Sequence, residues 1–422
     1  MYFQRKIYKT LFENLINNKI IILTGARQVG KTSLMKKMLE DVKKGQNTAF
    51  LDMDLAANLE KGESLEKFMD FLYLNGYTEE KDRFYVFVDE FQRSQDLANV
   101  FKNIYDHYKN IKIIASGSSS LTIKNNLKES LAGRKFIFEI NPLDFEEFLI
   151  FKQDKKALDY YKNIPKLKSS DAQLPSLLEK YLSEFLIFGG YPEVALNDNY
   201  ETKKKLLESI FDLYIEKDIM IFSDIENIPA FKKIVGILAV NNGQLINYDR
   251  LAREAGIHNK TVRSYLSLIE DTYIVKEVKP FHSNKNKELT KTPKYYFSDI
   301  GVRNYFLNNY SDLKKRVDKG QIWETYVLQE LVKNGFPNVK FWRTKNGKEL
   351  DFILEEENEI LPIEVKYESR GEASHLNNLF YFLDTYNLST GFLLSKNFNK
   401  DIKEEEKQAR CRVGVNFFDI LN

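Results

Sequence analysis

Cysteine is almost missing: Cys411 is the one thiol in 422 residues, so no disulfide within the chain can staple the fold. Histidine is scarce too, and His107, His258, His282 and His375 form no cluster with zinc-ligand spacing. Long apolar runs are absent. Stretches such as Ile20–Leu23 fall far short of the ~18 residues a membrane span needs. Met1-Tyr2-Phe3-Gln4-Arg5-Lys6 shows no signal-peptide h-region. These absences lead to the expectation of a cytoplasmic protein with no membrane partner. An excess of one charge is also lacking. The formal net charge is only +2, so any nucleic-acid surface has to be local.

What is present is ordinary soluble-protein material, 43% hydrophobic and 29% charged, in a chain long enough for two or three domains. The first ~150 residues alternate short apolar runs with amphipathic stretches, as βαβ units do. Strands are expected at Lys19–Thr24, Thr48–Asp52, Tyr85–Asp89, Lys112–Ser116 and Arg134–Ile140. Helices are expected at Lys31–Lys43, Leu65–Leu74 and Leu97–Tyr108. The strands are continuously apolar, which suits a parallel sheet covered on both faces. Phe151–Leu174, rich in lysine and serine, reads as a loop or loose insertion. Leu174–Ile221 is helical and broken at Gly189-Gly190-Tyr191-Pro192, and Asn284–Lys294 is a charged loop.

Gly25-Ala26-Arg27-Gln28-Val29-Gly30-Lys31-Thr32, followed by Ser33, is a complete P-loop between an apolar strand and a helix. Its glycines let the backbone curl so that successive N–H groups point at phosphates. Lys31 supplies charge to the β- and γ-phosphates of ATP, and the Thr32 hydroxyl ligates Mg2+. The following helix aims its positive dipole end at the same anion. Phe84-Tyr85-Val86-Phe87-Val88-Asp89-Glu90 supplies the other half of the site. Asp89 is expected beside the Mg2+. Glu90 either polarises the attacking water or caps the next helix.

With Ile113-Ile114-Ala115-Ser116-Gly117-Ser118, Ser130-Leu131-Ala132-Gly133-Arg134, Pro142-Leu143-Asp144-Phe145-Glu146-Glu147-Phe148 and Gly189-Gly190-Tyr191-Pro192-Glu193 added, the chain resembles the AAA+ superfamily. More narrowly, it resembles AAA-14-type ATPases that carry a C-terminal domain of unknown function. The resemblance implies an additional strand whose polar end, Ser116 or Ser118, faces the γ-phosphate, unless these serines are a helix N-cap. It also implies that Arg134 reaches the nucleotide of a neighbouring subunit in a homo-oligomer, the competing view being a solvated arginine.

Phe231–Phe281 reads helix, helix, helix, strand. Asn247–Ile257 and His258–Ile269 have the spacing of a helix-turn-helix, and Ile274–Phe281 would be the wing. Arg250, Arg253, Lys260 and Arg263 would mainly grip DNA phosphates, or the domain packs only against protein. After Gly320 come a helix carrying Glu324, a strand carrying Asp351, and Leu361-Pro362-Ile363-Glu364-Val365-Lys366. This resembles the PD-(D/E)xK nuclease core. On a strand Glu364 and Lys366 share a face. With Asp351 and Glu324 they would converge on a second Mg2+ or Mn2+, with Lys366 holding the attacking water.

The sequence therefore predicts an α/β protein. Residues 1–141 would form the P-loop AAA+ core, 142–226 a helical lid, 227–310 a winged helix, and 311–422 a restriction-endonuclease-like domain. The expected function is an ATPase that engages DNA, with a Mg2+-dependent endonuclease activity. The alternative is an ATP-controlled regulatory switch whose C-terminal domain is inert.

Overall fold

The strand β1 (Ile20–Thr24) is Ile-Ile-Ile-Leu-Thr and is buried at every position. β-branched residues without polar alternation suit a strand with both faces covered. It lies in a computed structural model that describes residues 2–79, 82–117, 131–166, 174–215, 219, 225, 227–282, 291–356, 359–369, 371–404 and 406–417. The chain divides into two compact units. One is Met1–Pro142 with Glu208–Glu226 and Asp271–Tyr273; the other is Leu143–Leu207, Asn227–Glu270 and Ile274–Asn422.

In the first unit, β2 (Thr48–Asp52), β3 (Phe84–Asp89), β4 (Ile111–Ser116) and β5 (Lys135–Glu139) join β1 in the order β2-β3-β4-β1-β5. All the pairings are parallel. The strands fall within a residue of their expected positions, as do the helices Lys31–Val42, Leu65–Leu74 and Leu97–His107. Phe68 and Leu72 of the second helix, with Phe101 and Ile104 of the third, pack on Val86, Val88, Ile113 and Ala115. Because the strands are parallel, Thr24, Asp89 and Ser116 all reach the same carboxyl edge, where α/β sheets bind ligands. At the far end of β4, fully buried Lys112 donates to Asn14 O (2.9 Å), Asn17 O (2.8 Å), Asn17 Oδ1 (3.1 Å) and Lys19 O (2.5 Å). It ties down the turn that leads into β1.

The second unit opens with the helix Phe145–Phe151, capped by Asp144 in a reciprocal capping box with Glu147. Phe151–Leu174, expected as a loop, contains the helix Lys155–Asn163 and a short 3-10 turn, Ile164–Lys166. Asp154 caps the helix, and only Ala157 and Tyr161 turn inward. So narrow a stripe was hidden among lysines and aspartates; residues 167–173 lie outside the described set.

The helix Ser176–Phe188 ends at Gly189-Gly190 because two backbones approach closely there. A Cβ on Gly190 would stand 2.2 Å from Leu143 O, and one on Gly189 2.1 Å from Asp299 Oδ1. Asp299, itself buried, accepts from Gly190 N at 2.8 Å, and burial pushes its carboxyl pKa up. The glycine pair is thus a packing feature.

Tyr248–Ala255 and Asn259–Asp271 form the expected pair of helices. The first stops at Gly256 in the left-handed conformation, φ 68°. The next strand, β6 (Val275–Pro280), forms an antiparallel hairpin with β7 (Lys294–Phe297). Residues 283–290 of the expected charged loop lie outside the described set, and Lys294 at its end is in β7.

The stretch expected as a wing does not project alone. It pairs in parallel with β8 (Lys340–Arg343) through Lys279↔Lys340 and Pro280↔Phe341. With β9 (Glu349–Glu356), β10 (Glu359–Lys366), β11 (Thr390–Ser395), β12 (Lys400–Glu404) and β13 (Lys407–Val413), it builds a sheet in the order β12-β13-β11-β10-β9-β8-β6-β7. Helices Lys319–Lys333 and Ala373–Tyr386 precede β8 and β11. Among the described residues no helix is long and apolar enough to cross a membrane.

Candidate functional site

The loop between β1 and its helix has the backbone its glycines predict. Gly25 sits at φ 138°, where a Cβ would meet Ile140 O at 2.1 Å. Gly30, at φ 100°, is the left-handed N-cap of Lys31–Val42. Neither position tolerates a side chain without strain. Ala26 and Val29 are buried, Arg27 is half-buried, and Gln28 and Ser33 are exposed. Buried Lys31 folds back over the loop, Nζ donating to Gly25 O at 2.9 Å and Ala26 O at 2.7 Å.

One carboxylate organises the rest. Thr32 Oγ1 donates to Asp89 Oδ2 at 2.7 Å, while Ser116 Oγ and Glu90 N (3.2 Å) donate to Asp89 Oδ1. Asp89 and Ser116 are buried. The contact exists because β4 lies between β1 and β3. Ser118 falls outside the described residues. Glu90 stands at φ 52°, an uncommon conformation for a non-glycine residue. Its Oε2 accepts from Gln92 Nε2 at 2.5 Å. A hydroxyl and a carboxylate side by side are hard oxygen donors that fit Mg2+.

Arg134 is engaged within its own unit. Its Nε and Nη2 reach the two oxygens of Asp106 at 2.8 and 3.0 Å, and this hydrogen-bonded pairing lowers the Asp106 pKa.

Two residues at this site were not singled out from the sequence. Arg5, buried, donates to Val29 O and Asn141 O, both at 2.8 Å, and so braces the loop from behind. Tyr273, at φ 62°, is hydrogen-bonded to Thr24 at the end of β1. Burial pushes its phenol up to about 12. A lone arginine before a helix and a tyrosine more than two hundred residues downstream carry no local signal.

In the second unit, β9 and β10 run antiparallel with Ile363 opposite Phe352, which brings Glu364 beside Asp351. Asp351 Oδ2 accepts from Val365 N at 2.8 Å. Lys366 Nζ donates to Glu364 Oε1. Glu364 is 4% exposed, and its Oε2 has no hydrogen-bond partner among the described residues. Burial, then the charge of Asp351, raises the Glu364 pKa well above the ordinary carboxyl value. Burial works against the charge on Lys366, but Asp351 and Glu364 outweigh it and raise its pKa. Glu324 feels the same field, pushed up to about 7 by burial and then by Asp351.

The four residues expected from the helix and the two strands therefore share one electrostatic cluster. They do not form a cage. Among the described residues no three carboxylate, imidazole or thiol side chains are close enough to hold a metal ion together. The orphaned, buried Glu364 oxygen beside a second carboxylate nevertheless fits a cation.

Lys294 and Tyr296 of β7 enter the same cluster and were not anticipated. Tyr296 Oη donates to Glu324 Oε1 at 2.5 Å. Lys294 Nζ lies 2.5 Å from Glu349 Oε1 and 3.8 Å from Glu324 Oε1.

At the helix pair, His258, Asn259, Lys260 and Arg263 are exposed. Arg263 stacks 3.9 Å from the Tyr248 ring centroid, Arg250 pairs with Glu254 at 2.6 Å, and Asn259 Nδ2 donates to Asp249 at 2.5 Å.

A family model described as an AAA domain matches residues 17–149. Two domains of unknown function match residues 179–313 (DUF8612) and 319–411 (DUF4143). An uncharacterized protein of Methanocaldococcus jannaschii is 30% identical over 363 residues, covering 84% of this chain and 76% of the relative. An uncharacterized protein of Haemophilus influenzae is 26% identical over 376 residues, 87% of each chain. Among solved structures, a Walker-type ATPase of Pyrococcus abyssi is 16% identical with a TM-score of 0.49, covering 72% of this chain and 96% of that one.

Proposed function

Since this chain belongs to the family of the Methanocaldococcus jannaschii relative and carries an AAA domain of the P-loop ATPase type, we propose that its first unit binds ATP with Mg2+ and hydrolyses it. The observation that carries this is the convergence of Thr32 and Ser116 on the Asp89 carboxylate at the mouth of the loop. Loop N–H groups and Lys31 hold the phosphates, Lys31 exchanging two loop carbonyls for phosphate oxygens. Thr32 and Asp89 would hold Mg2+, which neutralises charge developing on the β- and γ-oxygens when bound. Glu90 polarises the attacking water, and Ser116 faces the γ-phosphate. Arg134 serves a neighbouring copy once released from Asp106.

The test is ATP turnover beside Lys31→Ala and Glu90→Gln. Lys31→Ala is expected to abolish binding. Glu90→Gln is expected to retain ATP while turnover falls by about 100-fold or more. Equal turnover in Glu90→Gln and the unsubstituted protein would leave Glu90 without a catalytic role.

A second activity is supported by the buried Glu364 oxygen beside Asp351. We propose that Asp351 and Glu364 would hold Mg2+ or Mn2+, which would supply an activated water and charge neutralisation at a DNA phosphate when bound, while Lys366 positions that water and Glu324 adds its charge to the same field. Exposed Lys260, with Arg253 and Arg263, grips the DNA backbone. Labelled linear and four-way-junction DNA, incubated with either metal with and without ATP, tests this. Cutting that disappears in Lys366→Ala supports a working nuclease. Intact DNA beside active ATP turnover favours an ATP-controlled switch with an inert C-terminal domain.

A further inference from the structure

The carboxylate cluster of the second unit holds one carboxylate more than Glu324, Asp351 and Glu364. Glu349 lies two residues before Asp351 on β9, so both point to one face. With Glu324, Asp351 and Glu364 this makes four carboxylates in one electrostatic group. They are partitioned into two pairs. Asp351 and Glu364 stand together across β9 and β10, with Lys366 on Glu364. Glu349 and Glu324 are bridged by the Lys294 ammonium, 2.5 Å from one and 3.8 Å from the other.

Lys294 is held where it is. It is 3% exposed, lies 5.1 Å from the Phe341 ring centroid, and belongs to β7, whose Tyr296 fixes Glu324 through a hydrogen bond. An ammonium between two carboxylates occupies the place a metal ion takes between the same groups. This also accounts for the absence, among the described residues, of three carboxylates gathered around one point. The only side chain of the cluster with a buried, unpartnered oxygen among the described residues is Glu364, on the other pair.

We propose that Lys294 is a built-in cation filling the second ion position, so that the centre takes one divalent metal ion, between Asp351 and Glu364. This rests on the metal-centre reading given above. Formally, Lys294 and Arg343, which donates to Glu349 Oε2 at 2.9 Å, balance Glu349 and Glu324, while Lys366 alone offsets Asp351 and Glu364, so the uncompensated negative charge lies on the pair that takes the metal ion. The hairpin β6–β7, adjoining the sheet through β8, is then part of the centre: it delivers a charge that would otherwise have to come from solution.

The experiment is titration of the full chain with Mn2+ in the absence of nucleotide, followed by calorimetry and by the Mn2+ electron paramagnetic resonance signal. The unsubstituted protein is expected to bind one ion that Asp351→Asn abolishes. Lys294→Met is expected to bind two, and Lys294→Met with Glu349→Gln to return to one. Lys294→Arg, which keeps the charge, is expected to stay at one. Should Lys294→Met not fold, Lys294→Gln, which keeps a hydrogen-bond donor towards Glu349, carries the same expectation of a second ion. One ion at unchanged affinity in the folded neutral variant overturns the role of Lys294 and leaves the metal centre standing. If no ion depends on Asp351, the metal centre itself is wrong and this inference falls with it.

Discussion

Thr32→Val and Ser116→Ala remove two hydroxyls that donate to the same carboxylate, and the proposed mechanism assigns them different work. Thr32 reaches Asp89 Oδ2 at 2.7 Å, and Ser116 reaches Oδ1. Asp89 is 4% exposed, so water replaces neither donor freely. A hydrogen bond to a charged, buried partner contributes about 1.5–3 kcal/mol, and each substitution is expected to lower stability by that order. Valine matches threonine in shape, so no cavity forms at position 32. The variants should separate in their dependence on Mg2+. Thr32 supplies a metal ligand, and its loss should raise the Mg2+ concentration that half-saturates ATP binding by about tenfold to a hundredfold, the same energy read as affinity. Ser116→Ala should leave that midpoint within about threefold and lower turnover instead, because its contact is with the γ-phosphate side. The assay is binding of a fluorescent ATP analogue over a Mg2+ series, with urea unfolding run in parallel. If both variants move the Mg2+ midpoint equally, or neither does, the assignment of Thr32 as metal ligand is refuted.

Three further outcomes follow from the same geometry. Arg5→Ala removes two 2.8 Å donations that brace Val29 O and Asn141 O, and is expected to weaken ATP binding by about tenfold for one lost charge-assisted bond. Unchanged affinity in that binding assay would show that the loop holds its shape alone. Gly189→Ala puts a methyl 2.1 Å from Asp299 at a positive φ; a loss of about 2–4 kcal/mol, or an insoluble protein, is expected, and a denaturant midpoint equal to that of the unsubstituted chain would contradict the close approach. Burial, and then Arg83, lower the Lys112 pKa to about 7 from the ordinary 10.5. Between those pH values the unfolded chain binds a proton that the folded one does not, so stability rises with pH over that window and the burial penalty is fully present below it. That amounts to about 4–5 kcal/mol at most. Lys112→Met should flatten the rise between pH 7 and 9 in urea unfolding; parallel slopes would assign the titration elsewhere.

Much of the first unit was legible because its signals are contiguous. A strand of five buried residues, a glycine-lysine-threonine loop and a helix follow one another without a gap, and Val88-Asp89-Glu90 ends a second apolar run. Period and turn chemistry act over a few residues and survive in one dimension. The same holds for Glu364 and Lys366, whose shared face follows from the alternation of a strand. The helix Lys155–Asn163 was lost for the opposite reason: two inward residues in nine give almost no period.

By itself, then, the sequence determined the nucleotide loop, its acidic partner strand and the carboxylates of the C-terminal strands. All of these are local patterns of backbone freedom and side-chain alternation. Tertiary structure alone decided which residues meet. It set β4 between β1 and β3 so that Ser116 touches Asp89, gave Arg134 to Asp106, brought Arg5 under the loop and Tyr273 to Thr24, and delivered Lys294 to Glu349 and Glu324. Each of these depends on pairing between segments far apart in the chain. Long-range pairing is selected by the burial of whole sheet faces, and no short window of sequence contains it.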